Sequence, residues 1–488
     1  MAGVGNRAAI LTLSRLANYG LMLISPIVLV RLLSVAQFGR YREFLLYASV
    51  VQSIAAFSIG DSLLYCIPAN PSSRWRTVRQ TVVLIACSTL ITVAGLALLD
   101  RASGGRVVGS LLLPICLYTV FYCNLDFWDS YWVATNRPGL LFVYTSCRLA
   151  ARVTVAIVTA AWTHDVQTII WALIGLEGLR MLGAALVMLP NDRSATEPPL
   201  AEPWREQIRY CLPCGTASIL STLKSNLSGI VVAKALGAIA LAQYTIGTFG
   251  QPVVITLRNS VSAVVLPEMV ERDRSSRGAA LALWRRATVV NTILLFPAVI
   301  IVCRFAQPLV EAVFGRSYAA AALVLQIYML GVVRECFDFS PALRAVNRTR
   351  PLVGSTVASL LACGVILAVV IPAGGGVAGA MAAVVIGMVM EAVWLARATV
   401  RHFGVRVGEL IPWASIGKVA LAAALAGAVL ATPAWRDTFG SAGMALASIV
   451  YLAAFTLLLL ALRVPEAHVL LAWARRLVPA FTAASRKA

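Results

Sequence analysis

The sequence predicts an all-α polytopic membrane protein with about 14 transmembrane helices, and three observations support this fold class. Apolar residues make up 60% of the 488 positions and charged residues only 13%, whereas soluble domains are about half apolar and a quarter charged. The apolar residues fall in runs of about twenty, the length that a helix needs to cross a hydrocarbon layer of roughly 30 Å. These runs lack the alternation of barrel strands, so helices are the remaining way to satisfy the backbone in lipid.

Charged or turn-forming stretches separate the apolar runs. The first run contains Arg15 and has no clear small-residue cleavage site, so it is interpreted as a membrane helix and not as a removed signal peptide. The tenth run is interrupted by Arg334, Glu335 and Asp338, which are expected to face the protein interior. The predicted spans are residues 8–33, 40–67, 78–99, 107–134, 139–162, 166–190, 207–233, 241–268, 281–303, 318–345, 351–371, 377–400, 413–432 and 441–462.

The distribution of basic residues predicts the topology. The net charge is +20, but the Lys and Arg residues lie mostly between the apolar runs, so membrane orientation explains them better than nucleic-acid binding does. With an even number of spans both termini share one face, and most of the basic residues fall on that face. The positive-inside rule therefore predicts cytoplasmic N- and C-termini.

An internal repeat divides the chain. Ala-Thr-Asn-Arg-Pro at 134–138 is echoed by Ala-Val-Asn-Arg-Thr-Arg-Pro at 345–351. The offset corresponds to six spans, which predicts parallel repeats related by an axis along the membrane normal. The predicted domains are an N-terminal six-helix lobe (1–190), a cytoplasmic linker (191–206), a C-terminal six-helix lobe (207–400), spans thirteen and fourteen (401–463) and a basic cytoplasmic tail (464–488).

Several short motifs, in the order and at the spans expected, resemble one family. They are Arg31 to Tyr41, Phe57 to Leu64, Val265 to Met269, Leu309 to Ile327, Ala345 to Pro351 and Gly374 to Ala380. Together they resemble the polysaccharide transporter family, the O-antigen flippase type within the multidrug/oligosaccharidyl-lipid/polysaccharide exporter superfamily. In one departure, span seven carries Asn226 and Ser228 where many relatives place an acidic residue.

The resemblance implies two lobes around a central cavity lined by spans one, two, seven and eight, with alternating access. It implies a flippase, not an enzyme, that moves an undecaprenyl-diphosphate-linked oligosaccharide across the bacterial inner membrane for surface polysaccharide or lipopolysaccharide biosynthesis. Expected partners are this lipid-linked oligosaccharide, membrane lipids, and the polymerase and glycosyltransferases of the same pathway, with no nucleic acid. No cofactor or metal is expected, since the sequence has no phosphate-binding Gly-x-x-x-x-Gly-Lys-Ser/Thr loop and no His or Cys ligand cluster.

The candidate substrate-binding residues are four cations within spans. Arg15, Lys224 and Arg258 have no acidic neighbour at helical spacing and are predicted to lie toward the cytoplasmic entrance, where they can bind a diphosphate. Arg42 lies toward the periplasmic end of span two, where it can receive the headgroup after inversion or anchor the interface. The alternative for Arg15 is snorkelling to the cytoplasmic headgroups.

Acidic residues within spans are candidates for ion pairs or for coupling. Asp126 and Arg148 are predicted to pair between spans four and five, and Asp129 and Arg152 extend the same faces. Asp61 can either take up a proton for coupling or pair with a cation of span one. Two further pairs at helical spacing are expected to neutralise each other locally, namely Glu177 with Arg180 and Arg334 with Asp338.

Two other functions remain open from the sequence. A cation-coupled multidrug antiporter of the same superfamily usually needs an acidic residue in the first lobe, where span one offers Arg15 instead. A membrane-embedded polysaccharide polymerase or ligase needs a sizeable outer loop with catalytic charges, and the predicted outer loops are short.

Overall fold

The computed structural model describes residue 20 and residues 23–191, 196–198, 203–275, 278–431 and 434–467. The chain forms two compact units, Met1–Thr245 and Ile246–Ala488. Each unit is defined by the contacts within it. The lobe and linker boundaries predicted from the sequence stay a prediction.

The first unit is a bundle of helices. A 3₁₀ turn at Gly60–Ser62 separates the second helix from the third. The helices are α1 (Leu23–Leu32), α2 (Val35–Ala56), α3 (Leu63–Ala69), α4 (Arg74–Ala102), α5 (Leu112–Cys123), α6 (Trp128–Ala134), α7 (Pro138–Thr163), α8 (Val166–Asn191) and α9 (Pro203–Gly247), which ends just inside the second unit.

The second unit is also helical. Its last two long helices pack on the middle of α11 through an apolar core that includes Val289, Val419 and Tyr451. The helices are α10 (Gln251–Ser275), α11 (Ala279–Phe314), α12 (Ala321–Glu335), α13 (Ser340–Ala345), α14 (Arg350–Val370), α15 (Gly376–Phe403), α16 (Val407–Leu410), α17 (Trp413–Ala431) and α18 (Ala434–Ala461).

The predicted fold class is confirmed. Within the described residues ten helical segments are long and apolar enough to cross a membrane, or eleven if the bent pair Val35–Ala56 and Gly60–Ala69 is one span. The segment Trp204–Asn259 contains predicted span seven and most of predicted span eight, which the kink at Gly237 separates. Predicted span one lies mostly outside the described residues, and span ten is the 15-residue α12 followed by α13.

Large apolar side chains on the outer faces of these helices are consistent with lipid as the solvent. Leu90 and Ile91 on α4 are 71% and 72% exposed, and α14 and α18 carry similar side chains. A soluble protein rarely leaves such continuous apolar surface in water. The outer surface of the bundle is therefore suited to a hydrocarbon environment.

The sequence repeat corresponds to a repeated backbone feature. In each unit a helix stops, the chain passes an Asp-Phe pair (Asp126 or Asp338), and a short helix follows. Two residues after the end of the short helix comes an asparagine, Asn136 or Asn347, whose φ is 54° in both cases. Asparagine tolerates this left-handed conformation because its side chain bonds locally. Proline then occupies the first turn of the following helix, where no backbone N–H is needed.

Glycines allow close packing of α2 in the first unit. A Cβ atom on Gly39 would lie 1.9 Å from the carbonyl oxygen of Ala238 on α9, and one on Gly215 would lie 2.7 Å from the carbonyl oxygen of Phe57. The start of α2 is fixed by a capping box, in which Ser34 accepts from the backbone of Gln37 and the Gln37 side chain bonds back. Small residues at such contacts are typical of membrane helices, whose association relies on close packing.

Candidate functional site

Five ionisable side chains meet where α5 to α8 pack together in the first unit. Arg148 Nη1 lies 2.6 Å from Asp126 Oδ1, and Arg148 Nη2 lies 3.3 Å from Glu177 Oε2. The same carboxylate of Glu177 is 2.7 Å from Arg180 Nε, and its other oxygen is 3.7 Å from Arg152 Nε. Glu177 is only 1% exposed. These residues are called the first charge network.

Counted by its ion pairs, the first charge network has a positive surplus, because three guanidinium groups pair with two carboxylates. The nearby Asp129 carboxyl interacts electrostatically with Arg148 and Arg180. Two tyrosines interact with these guanidinium groups. The Arg152 guanidinium donates to the Tyr118 hydroxyl at 2.6 Å, and the Arg148 guanidinium lies 4.5 Å from the centre of the Tyr122 ring. An aromatic face attracts a desolvated cation but carries no net charge. The network is therefore suited to interact with an anion.

Arg180 also closes the end of α5. It donates to the carbonyl oxygens of Phe121, Tyr122, Asn124 and Leu125 at distances between 2.6 and 3.2 Å. The last carbonyls of a helix have no partner within the helix, and a guanidinium with its forked donors can satisfy several of them. Arg180 thus holds the break before α6 in place and positions Asp126 for its ion pair.

A cavity of about 190 Å³ adjoins the first charge network. Helices α1, α2, α7 and α8 form its walls, and its lining includes Arg42, Tyr41, Ser25 and Arg152. Arg42 Nε is buried and has no hydrogen-bond partner among the described residues. Since a buried donor without a partner is costly, it is a candidate contact for a ligand. Arg152 links the cavity to the network, because it also contacts Glu177.

A second charge network lies in the second unit. Arg258 on α10 donates to Glu335, and its Nε lies 3.6 Å from Asp338 Oδ2. Arg334 Nη1 lies 3.1 Å from Glu335 Oε1, and its Nη2 lies 3.3 Å from Glu391 Oε2 on α15. Arg334, Glu335 and Asp338 are all buried, as predicted for a span that faces the interior. With three carboxylates and two guanidinium groups, this network has a negative surplus.

The predicted local ion pair of Arg334 with Asp338 is wrong, and a break in the helix explains why. Asp338 contacts Arg258 and not Arg334, because α12 ends at Glu335 and the helical spacing does not continue to Asp338. Asp129 lies beyond the break after α5, and its Oδ1 has no hydrogen-bond partner among the described residues. Arg152 contacts Glu177 and Tyr118.

The pairs of Asp126 with Arg148 and of Glu177 with Arg180 do form. Arg258, which has no acidic neighbour at helical spacing, acquires two from another helix, α12, and the break that follows it.

The remaining predicted site residues are placed as follows. Lys224 lies on α9 and is partly buried, and Asp61 is exposed and accepts a hydrogen bond from the Ser130 hydroxyl at 3.3 Å. Arg15 lies outside the described residues. The roles of all these residues in binding or coupling stay predictions. Within the described residues no group of His, Cys, Asp or Glu has a geometry that could hold a metal ion.

Sequence reasoning missed Glu391. It is the single carboxylate of α15, a long apolar helix. An isolated charge in a membrane span is by itself a sign of a partner or of a function. The sequence contained that signal, but it did not show that the partner of Glu391 is Arg334.

Known proteins resemble the chain over part or nearly all of its length. Residues 138–323 match the family model described as polysaccharide biosynthesis protein, and no curated protein matches in sequence. A structure titled "Lipid II flippase MurJ, inward closed conformation" superposes with a TM-score of 0.65 at 11% identity, covering 93% of this chain and 99% of that one.

Two further solved structures share the fold. A multidrug resistance MATE family transporter of the MOP superfamily, in an inward-facing conformation, has a TM-score of 0.54 at 15% identity and covers 80% of this chain and 94% of its own. A MOP superfamily transporter from Pyrococcus furiosus has a TM-score of 0.53 at 13% identity, with coverage of 83% and 96%. Identities this low show the fold alone, and the family model matches less than half of the chain. The resemblance predicted from the motifs is confirmed as a resemblance: the chain shares its fold with solved transporters of the MOP superfamily, and residues 138–323 resemble the polysaccharide biosynthesis family.

Proposed function

We propose that the chain is a flippase that moves an undecaprenyl-diphosphate-linked oligosaccharide across the bacterial inner membrane by alternating access, for surface polysaccharide or lipopolysaccharide biosynthesis. The observation that supports this proposal is the cavity shared by Arg42 and Arg152 beside a network with a positive surplus. A diphosphate is the part of such a substrate that most needs cationic partners in a low-dielectric medium.

The chemistry of the cavity fits a phosphate group. The guanidinium of Arg42 offers a buried Nε donor that no described residue uses, and arginine binds phosphate oxygens with two parallel hydrogen bonds. The cavity of about 190 Å³ is smaller than the range of about 300 to 1,000 Å³ typical of sites that enclose a drug-sized ligand. The proposed occupant is therefore the charged part of the headgroup and not the glycan.

The predicted topology gives the cavity a place in the transport cycle. Arg42 follows the start of α2 by seven residues (Val35 to Arg42), which is about 10 Å along a helix. With cytoplasmic termini, α2 begins at the periplasmic face, so Arg42 lies about two turns below that face. Arg42 and Arg152 would then hold the diphosphate late in the cycle, while Arg15 and Lys224 would act at the cytoplasmic entrance.

The positive surplus disfavours a multidrug antiporter. A lipophilic cation would enter a cavity lined by two arginines, and like charges repel strongly in a medium of low dielectric constant. Deleting the gene and measuring growth in cationic dyes separates the two functions. The flippase proposal expects unchanged dye tolerance and a loss of surface polysaccharide.

The substitution Arg42→Ala tests the cavity. We expect a loss of translocation of ten- to a hundredfold, because a charged hydrogen-bond partner contributes about 1.5 to 3 kcal/mol. Arg42→Lys keeps the positive charge but loses the forked pair of N–H donors, so its translocation rate is expected to lie between those of the wild type and Arg42→Ala. Arg40→Ala is the matched control, since Arg40 is exposed on the same helix and does not line the cavity.

The measurement uses purified full-length protein in proteoliposomes that contain the lipid-linked oligosaccharide. The fraction of glycan that becomes accessible to an added glycosidase reports translocation. Unchanged translocation by Arg42→Ala, with normal insertion of the protein, would contradict the assignment of Arg42. No translocation of any lipid-linked oligosaccharide by the wild-type protein would contradict the proposed function itself.

A further inference from the structure

A second and larger cavity lies in the second unit, far along the sequence from the residues assigned to transport. It encloses about 780 Å³ where α14 begins and α15 ends. Its lining includes Arg348, Arg350, Trp394, Arg397, Arg401 and His402. The topology predicted from the charges places this end of α14 and α15 at the cytoplasmic face.

The basic side chains of this cavity are not neutralised within the protein. Arg348, Arg350, Arg397 and Arg401 are all exposed. In the part of the chain that the structure describes, none of the four forms a salt bridge with a carboxylate. The same cavity also contains His402 and no acidic lining residue. Four uncompensated guanidinium groups around one opening produce a strongly positive potential that attracts an anion.

The helix geometry makes these cations converge. Arg397 and Arg401 are four residues apart, so they project from the same face of α15, and Trp394 lies one turn before them. Arg350 begins α14, whose first backbone N–H groups have no partner within the helix and add a partial positive charge. Two helix ends thus direct their cationic groups into one opening.

Trp394 marks the level of the membrane interface. Its side chain is 47% exposed, and one side of its indole ring packs against α14, where a Cβ on Gly354 would lie 3.2 Å from the ring. Tryptophan is enriched where the hydrocarbon meets the headgroups, because its ring is apolar and its N–H is polar. The arginines beyond it therefore lie at the depth of lipid phosphates.

An apolar stripe leads from the cavity into the hydrocarbon region. On α14 it consists of exposed side chains four residues apart, from the residue next to the cavity to the far end of the helix. They are Val353 (56% exposed), Val357 (37%), Leu361 (62%), Val365 (65%) and Val369 (65%). A spacing of four places each side chain next to the following one, so the exposed row runs along α14 and winds slowly around it by about 40° per step. The stripe has the length and polarity to contact an acyl chain whose phosphate lies among the arginines.

We propose that this cavity binds the headgroup of an anionic phospholipid, with an acyl chain lying along the α14 stripe. Charge complementarity selects an anion, and the stripe selects a lipid over a soluble phosphate. Basic pockets between membrane helices at the cytoplasmic side recognise lipid phosphates in this way. The inference does not depend on the transported cargo.

The test compares two quadruple alanine variants of the full-length protein. In the cavity variant Arg348, Arg350, Arg397 and Arg401 become alanine. The control variant removes the same number of exposed arginines from loops and helix ends of the second unit outside this lining, namely Arg272, Arg286, Arg344 and Arg406. Apparent Kd values for phosphatidylglycerol are measured by native mass spectrometry in a zwitterionic detergent.

We expect the cavity variant to bind phosphatidylglycerol at least tenfold more weakly than the wild type, and the control variant to remain within twofold. Equal weakening in both variants, or none in either, would overturn the proposal. Inorganic phosphate and glycerol 1-phosphate are the soluble competitors. Displacement of the lipid by either at the concentration at which phosphatidylglycerol itself binds would show a free-phosphate site and contradict the lipid assignment.

A second variant guards against misfolding. Arg397→Gln with Arg401→Gln removes two charges from the exposed end of α15 and leaves the helix intact. It is expected to weaken lipid binding at least threefold while the protein elutes as a single species. Wild-type affinity in this monodisperse double variant would also overturn the proposal.

Discussion

Arg180 on α8 donates a hydrogen bond of 2.6 Å to the carbonyl oxygen of Phe121 on α5. The same guanidinium reaches further carbonyls at the broken end of α5, and its Nε lies 2.7 Å from Glu177. One side chain therefore both caps a helix inside the bundle and completes an ion-pair network.

This double role predicts the effect of Arg180→Lys. Lysine keeps the charge but has a single nitrogen, so several buried carbonyls lose their donor, each at a cost of about 1 to 3 kcal/mol. We expect a clear fall in the thermal unfolding temperature of the purified protein. The control is Arg101→Lys at the exposed end of α4, which should leave that temperature unchanged. Equal stability of the two variants would exclude the capping role.

Gly39→Ala tests the contact between α2 and α9. The added methyl group would lie 1.9 Å from the carbonyl oxygen of Ala238, so one helix must move. Overpacking of this kind costs roughly 1 to 3 kcal/mol. We expect lower stability and reduced translocation in proteoliposomes. Gly95→Ala on α4 is the control, since nothing lies within 4 Å of its new methyl group, and it should be neutral or slightly stabilising.

A double-mutant cycle on Arg258 and Glu335 tests the second charge network. Arg258→Gln or Glu335→Gln alone leaves a buried charge with fewer partners, which costs about 3 to 5 kcal/mol when a buried pair is broken. The double variant removes both charges and should be less destabilised than the sum of the single variants. Denaturation of each purified protein gives the coupling free energy, and additive effects would contradict the pairing.

Asp165, between α7 and α8, gives a pH-dependent prediction. Its carboxylate accepts hydrogen bonds from the backbone N–H and the hydroxyl of Thr168, and these bonds lower the pKa of Asp165. A lowered pKa in the folded state means that this carboxylate stabilises the fold above its unfolded pKa of about 3.9, and that the contribution is lost as the pH falls through the folded value. The stabilisation should therefore be complete at neutral pH.

The measurement compares the wild type with Asp165→Ala. The unfolding temperature of the variant should be lower at pH 7, and the difference should shrink as the pH falls below 4. A difference that persists unchanged at acidic pH would show that the cap does not depend on the charge of Asp165. Asp100, whose Oδ1 accepts hydrogen bonds from the backbone of Val107, Val108 and Gly109, offers a parallel comparison at another loop.

The sequence predicted most reliably those features that depend on residues close together in the chain. The apolar runs predicted helices because a backbone in lipid has no other partner for its polar groups, and the described residues contain ten or eleven helical segments that could span a membrane. The repeated Asn-Arg motif predicted equivalent segments, and both asparagines adopt the same left-handed conformation. The pair of Glu177 and Arg180 could also be read directly, because the two residues lie one turn apart on an unbroken helix.

The candidate site was only partly predictable. Arg42 was selected for its position in a span, but the cavity around it depends on side chains from four helices. Asp126 was matched to Arg148 by counting outward from a turn, which works for neighbouring antiparallel helices. Helical spacing failed for Asp338, because α12 ends at Glu335 and the spacing does not continue past that end.

The sequence by itself determined that the chain spans a membrane, that its spans are helices, and that charged side chains within these spans need partners. Only the tertiary structure decided which partners these are: Glu335 for Arg258, Glu391 for Arg334, and the carbonyls of α5 for Arg180. The reason is that helix formation depends on residues within one or two turns, whereas charge pairing depends on which helix faces are brought together by packing. Sequence spacing therefore determines helix formation, but it does not determine which charged residues pair between helices.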